Sequence, residues 1–148
     1  MPYAHPARPG DRPKRAWRID LVIVTCAISA GVHGALAPEH FQEGTASGLG
    51  FVVATVLLAS LAVWLTSHPD DRRGLAGVAI VLVGLLASYA LAVTTGLPVL
   101  HPEPEPIDGL ALVTKAIELA GLTAAVVLLW RRPAIAFARP QTTQPKGI

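Results

Sequence analysis

Residues 110–130 read LALVTKAIELAGLTAAVVLLW, an unbroken apolar run whose only ionisable side chains are Lys115 and Glu118. An α-helix needs roughly 20 such residues to cross about 30 Å of hydrocarbon, so the run predicts a membrane span. A charge near the centre of a bilayer costs about 2.5–3.5 kcal/mol on insertion scales, and one that stays there needs a partner or a purpose. At a spacing of i, i+3, Lys115 and Glu118 share a helix face and can partner each other.

Outward from this run the same pattern recurs at residues 21–37, 48–65 and 75–95. Hydrophobic residues make up 52% of the 148 and charged residues only 15%, with a mean hydropathy of +0.51. Those values lie far from the soluble-domain norm. The expectation is an all-α, four-helix transmembrane bundle occupying residues 19–131, with spans near 19–37, 48–66, 75–95 and 109–130. Basic tails at 1–18 and 132–148, rich in Pro and Arg, flank it and are expected to be disordered. Their charge favours an anionic cytoplasmic leaflet. The lipid bilayer is the expected partner, and nothing points to nucleic acid.

Positive residues flanking spans are retained in the cytoplasm. Arg8, Arg12, Lys14, Arg15 and Arg18 precede the first run, Arg72 and Arg73 lie between the second and third, and Arg131, Arg132, Arg139 and Lys146 follow the fourth. The other two connections hold no Lys or Arg. Both termini are therefore predicted cytoplasmic in a plasma-membrane protein, with loops 38–47 and 96–108 extracytoplasmic. Trp17, Trp64 and Trp130 all fall at the cytoplasmic ends, where indoles favour the headgroup region. The first run ends Ala35-Leu36-Ala37 like a signal-peptide cleavage site, but Pro38 is expected to obstruct cleavage, so retention as a span is expected. Cys26, the only cysteine, reads as a small packing residue. Ala27 with Gly31, Ala30 with Gly34, and the pair Gly77 and Gly84 offer close helix approach, within one bundle or in a homo-oligomer.

With this orientation and a rise of about 1.5 Å per residue, Lys115 lies about 9 Å and Glu118 about 14 Å below the outer end of the fourth span. Asp108 is positioned to cap that span. His33, Ser29, Ser88, Tyr89 and Thr95 also fall in the outer half, whereas the inner half has mainly Asp20 at its boundary. His33, Tyr89, Lys115 and Glu118 are thus the candidate ligand-binding residues of a polar funnel open to the outside. The loops add His40, Glu39, Glu43, His101, Glu103, Glu105 and Asp108. Pro38 is expected to open a short helical turn that brings His40 beside Glu43. His33, His40, Glu43, His101 and Glu103 form a candidate metal set whose imidazoles and carboxylates suit Zn²⁺ or Cu²⁺ rather than Cu⁺. Their spacing is not that of any tight metal motif. The competing reading for Lys115 and Glu118 is a structural ion pair, with Lys115 reaching toward the interface.

Two sequence elements carry a resemblance. His33, Leu36, Pro38, Glu39, His40 and Glu43 fit a pattern HxxLxPEHxxE. Gly96, Leu97, Pro98, His101, Pro102, Glu103 and Pro104, followed by Thr114, Lys115, Glu118 and Leu119, fit GLPxxHPEP…TKxxEL. In these the chain resembles an uncharacterised family of small four-span membrane proteins of high-GC bacteria. The resemblance implies a four-helix bundle and marks positions without assigning an activity.

Three functional classes follow: an accessory subunit packed against a larger membrane complex, an extracytoplasmic binder of a metal or small ligand, and a membrane enzyme using His33, Lys115 and Glu118. No nucleophile–base signature, phosphate loop or cofactor motif supports the enzyme. A b-type haem lacks a second in-span histidine. The apolar second span and inner half disfavour a conducting transporter acting alone.

Overall fold

The computed structural model describes residues 11–96, 104 and 106–130. Four helices make up the described fold: α1 Asp11–Glu43, α2 Thr45–Ser67, α3 Arg72–Thr94 and α4 Gly109–Trp130. Each is long and apolar enough to cross a membrane. They pack in chain order around a ring, α1 on α2, α2 on α3, α3 on α4 and α4 on α1.

The surface of this bundle is rich in large apolar side chains. Val63 is 69% exposed and Ile80 72%, which suits contact with hydrocarbon and not with water. Inside, polarity is divided by height. Val22, Leu58, Leu65, Val78 and Leu82 are fully buried, with Ala124 and Ala125 of α4, toward the end that carries the α2–α3 corner. Cys26 is a free, buried thiol among them. The buried polar residues Thr25, Ser29, His33, Thr114 and Glu118 begin at mid-height and continue toward the α1–α2 corner.

That corner differs from the sequence expectation. Residues 38–47 are not a loop: α1 continues through Pro38 to Glu43, and Gly44 alone separates it from α2. Proline removes one helix hydrogen bond and crowds the carbonyl of residue i−4. Here that residue is Gly34, whose backbone packs against Thr55 of α2. Beyond the proline, Phe41 lies so close over Gly48 that a β-carbon there would collide with its ring. His40 stacks on Phe51 with centroids 3.8 Å apart. Packing on α2 thus carries the helix past a residue that would otherwise end it.

The opposite corner is short and closely bonded. Asp71 caps α3, accepting the backbone N–H groups of Arg73 at 3.0 Å and Gly74 at 3.1 Å. Its carboxylate also accepts the Trp64 indole N–H at 2.7 Å. Foremost the indole, and then these amides, hold the Asp71 carboxyl below its ordinary range. His68 stacks on Trp64 at 4.3 Å, and Arg72 donates to the Leu129 carbonyl near the end of α4 at 2.8 Å. At the other end of α3, Gly96 takes φ 71°, the left-handed geometry that commonly terminates a helix. Asp108 caps α4 as expected, accepting the Ala111 N–H at 2.8 Å.

The small residues divide between two jobs. Gly34 faces α2, Gly77 meets Leu61, and Gly121 meets α1 so closely that a β-carbon would lie 2.6 Å from Thr25 Cβ and Oγ1. Gly31 and Gly84 have open space around them. Gly121→Ala is expected to cost about 1–3 kcal/mol by overpacking the α1–α4 contact, whereas Gly31→Ala and Gly84→Ala leave stability unchanged or slightly raised. Thermal unfolding in detergent checks this, and equal melting of Gly121→Ala and Gly84→Ala would contradict the packing described.

Candidate functional site

Thr25, Ser29 and His33 recur every four residues on α1, so they form one stripe along the helix. Thr114, Glu118 and Gly121 make the matching stripe on α4, and all six are buried. The missing side chain at Gly121 lets the two backbones approach. Thr25 reaches the Ile117 carbonyl at 3.5 Å, and Ser29 donates to Glu118 Oε1 at 2.6 Å. Glu118 is fully buried, and its second oxygen accepts Lys115 Nζ at 2.8 Å. A carboxylate in such surroundings is tolerable only when paired and hydrogen-bonded, and both conditions hold.

The protonation pattern of the stripe follows from its donors. The one Ser29 proton points at Glu118, so toward His33 the Ser29 hydroxyl can only accept. Its contact to His33 Nδ1 is a long 3.4 Å. His33 Nδ1 also lies 2.8 Å from the Ser29 carbonyl, which can only accept as well. Both contacts assign a hydrogen to Nδ1. The His33 ring leans on Phe51 at 5.3 Å, the same side chain that His40 covers.

Tyr89 completes the group from α3. Lys115 Nζ lies 5.6 Å from the centroid of its ring, within cation–π range. The Tyr89 hydroxyl is shielded from solvent and has no hydrogen-bond partner among the described residues. Lys115 differs from Glu118 in access: its side chain is 16% exposed.

The four expected ligand-binding residues thus fall in one connected cluster: Tyr89 against Lys115, Lys115 on Glu118, and Glu118 joined through Ser29 to His33. His33 meets Glu118 by way of the serine hydroxyl. Ser88, also expected in the outer half, is exposed on the outside of the bundle. The metal set fares differently. His40 bonds Glu43 at 2.7 Å on the surface of their own helix, as the i, i+3 spacing predicts, while His33 turns inward to Ser29. Among the described residues no three of His, Cys, Asp and Glu converge on a point where an ion could sit. His101, Glu103 and Glu105 lie outside the described residues, so metal binding has no support in this arrangement.

Ser29, Thr25 and Phe51 belong to the site although the sequence reading gave them no functional role. The regular Thr25, Ser29, His33 stripe is the signal that marks the first two. Phe51 carries no such signal, because its contact with two imidazoles arises only from the α1–α2 packing. Two surface grooves, of about 430 and 560 Å³, are lined by other residues. The cluster is a packed seam between helices, with Lys115 as its partly exposed member. No protein-family model, curated protein or solved structure matches the chain.

The ion pair should respond unequally to loss of either partner. Lys115→Met strands a fully buried carboxylate, a change that costs about 3–5 kcal/mol where no relief is available. Glu118→Gln leaves a lysine that can swing toward the polar end, so its cost is smaller. Combining the two should recover much of the larger loss. A double-mutant cycle of melting in detergent reads this directly, and simple additivity would show that the pair is not coupled.

Proposed function

We propose that this chain is a multi-pass membrane protein, with both termini in the cytoplasm, that binds a small ligand through an acceptor oxygen in the outward half of its bundle. Lys115 and Tyr89 make the contact. Glu118, Ser29 and His33 form the frame that holds Lys115 in position. One observation carries this reading: the Tyr89 hydroxyl is shielded and unpartnered, on a ring that faces the partly exposed Lys115 side chain. Leaving a buried hydroxyl unpaired costs about 1–3 kcal/mol, which a ligand oxygen would relieve. Lys115 spends one N–H on Glu118 and keeps two that can turn to the same oxygen. Because Glu118 balances the lysine charge, the site favours a neutral or weakly charged acceptor group. The orientation is supported by Arg18, Arg72 and Arg73, which gather at the end opposite the polar cluster.

A purely structural pin between α1 and α4 is the second reading, favoured by the complete pairing of both Glu118 oxygens. The two readings part at Tyr89. Protein extracted gently from its own membrane is expected to carry a bound small molecule, detected by native mass spectrometry. Tyr89→Phe and Lys115→Met should lower its occupancy at least several-fold, with Tyr89→Phe melting no lower than wild type. Equal occupancy in Tyr89→Phe, or no bound mass in the wild type, would favour the pin.

The orientation has its own test. In a Cys26→Ala background, Thr45→Cys should react with a membrane-impermeant maleimide on intact cells, and His68→Cys only after lysis. The reverse pattern would invert the topology.

A further inference from the structure

A groove of about 560 Å³ runs between α1 and α4 on the outer surface of the bundle. Trp17, Arg18 and Leu21 wall it on α1, and on α4 its lining extends from Ala116 to Val127. Ala116, Ala120 and Thr123 are small side chains on one side of α4, which is why a furrow exists there at all. At about 1.5 Å per residue, the eleven steps from 116 to 127 span roughly 16 Å. Val127 lies three residues from the inner end of α4, so the furrow runs from near that end to about 5 Å beyond the midpoint of the helix.

The end of the groove near Arg18 is charged. The Arg18 guanidinium lies 5.5 Å from the centroid of the Trp17 ring, and its Nη1 is shielded from solvent with no hydrogen-bond partner among the described residues. A buried guanidinium nitrogen without an acceptor is costly, and its planar fork suits the oxygens of a phosphate. Trp17 beside it is a residue type favoured at headgroup depth.

We infer that this groove holds one anionic glycerophospholipid of the cytoplasmic leaflet, its phosphate on Arg18 and an acyl chain along Ala116, Ala120 and Thr123. The furrow starts near the inner end of α4 and reaches just past its midpoint, the course of an acyl chain hanging from that surface, and its one charged residue sits at the headgroup end. The inference rests on the chain spanning a bilayer with both termini in the cytoplasm and is independent of the ligand site at Tyr89.

The test uses the full chain in nanodiscs of equal phosphatidylglycerol and phosphatidylcholine, released into the gas phase for native mass spectrometry. Wild type should retain one phosphatidylglycerol with a preference of about tenfold, the scale of one charge-assisted contact. Arg18→Gln should abolish the preference. Ala120→Leu, on the exposed face of α4, should fill the furrow and lower retention of both lipids while melting is unchanged. Millimolar inorganic phosphate should displace nothing. Undiminished preference in Arg18→Gln, undiminished retention in Ala120→Leu, or displacement by free phosphate would each overturn the assignment.

Discussion

Everything at the polar end of this bundle depends on one constraint: the fully buried carboxylate of Glu118 must be neutralised and hydrogen-bonded on both oxygens. Lys115 meets half of that need from the same helix. The other half comes from Ser29, eighty-nine residues away in the chain, and so fixes which helix lies beside α4 and at what height. A slide of one turn between α1 and α4 would separate the hydroxyl from the carboxylate by about 5.4 Å. The register between these helices is therefore set by chemistry as well as by shape. Gly121 makes the approach possible, and Thr25, pressed against it, limits the slide.

The apolar half works by different means. For a bundle placed in hydrocarbon, burying Leu58 or Leu82 would gain little from the exclusion of water, since lipid is as apolar as the core. Close contact is what counts, together with the few polar bonds at the ends. Arg72 reaching the Leu129 carbonyl, and Asp71 holding both the α3 terminus and Trp64, tie three helices at the corner opposite the ion pair. Polar anchorage at both heights brackets a core that would otherwise be free to shift.

Much of this was legible in residue order where the determining spacing is short. Lys115 with Glu118, His40 with Glu43, and the Asp108 cap are all local, and helix geometry alone brings them together. The number of helices followed from the length of four apolar runs. What depended on neighbours was not legible. Tyr89 and Ser88 are adjacent in the chain, yet one turns toward Lys115 and the other faces outward; only the rotation of α3 against α4 decides between them. Pro38 by itself reads as opening a short turn in a loop, and the packing of Phe41 on Gly48 and His40 on Phe51 instead keeps it inside α1. The role of Ser29 required knowing that α1 and α4 are neighbours.

The single residue between α1 and α2 has a further geometric consequence. A one-residue connection obliges the two helices to run side by side in opposite directions from a common corner, yet α1 has 33 residues and α2 only 23. The ten-residue difference, about 15 Å of helix, has no counterpart in α2; its Trp17 and Arg18 lie beside α4 instead, and its Ile19 joins the core. Four helices of matched length would make a flush plug in the bilayer. This bundle instead carries one helix ten residues longer than its neighbour, at the end where Arg18, Arg72 and Arg73 lie.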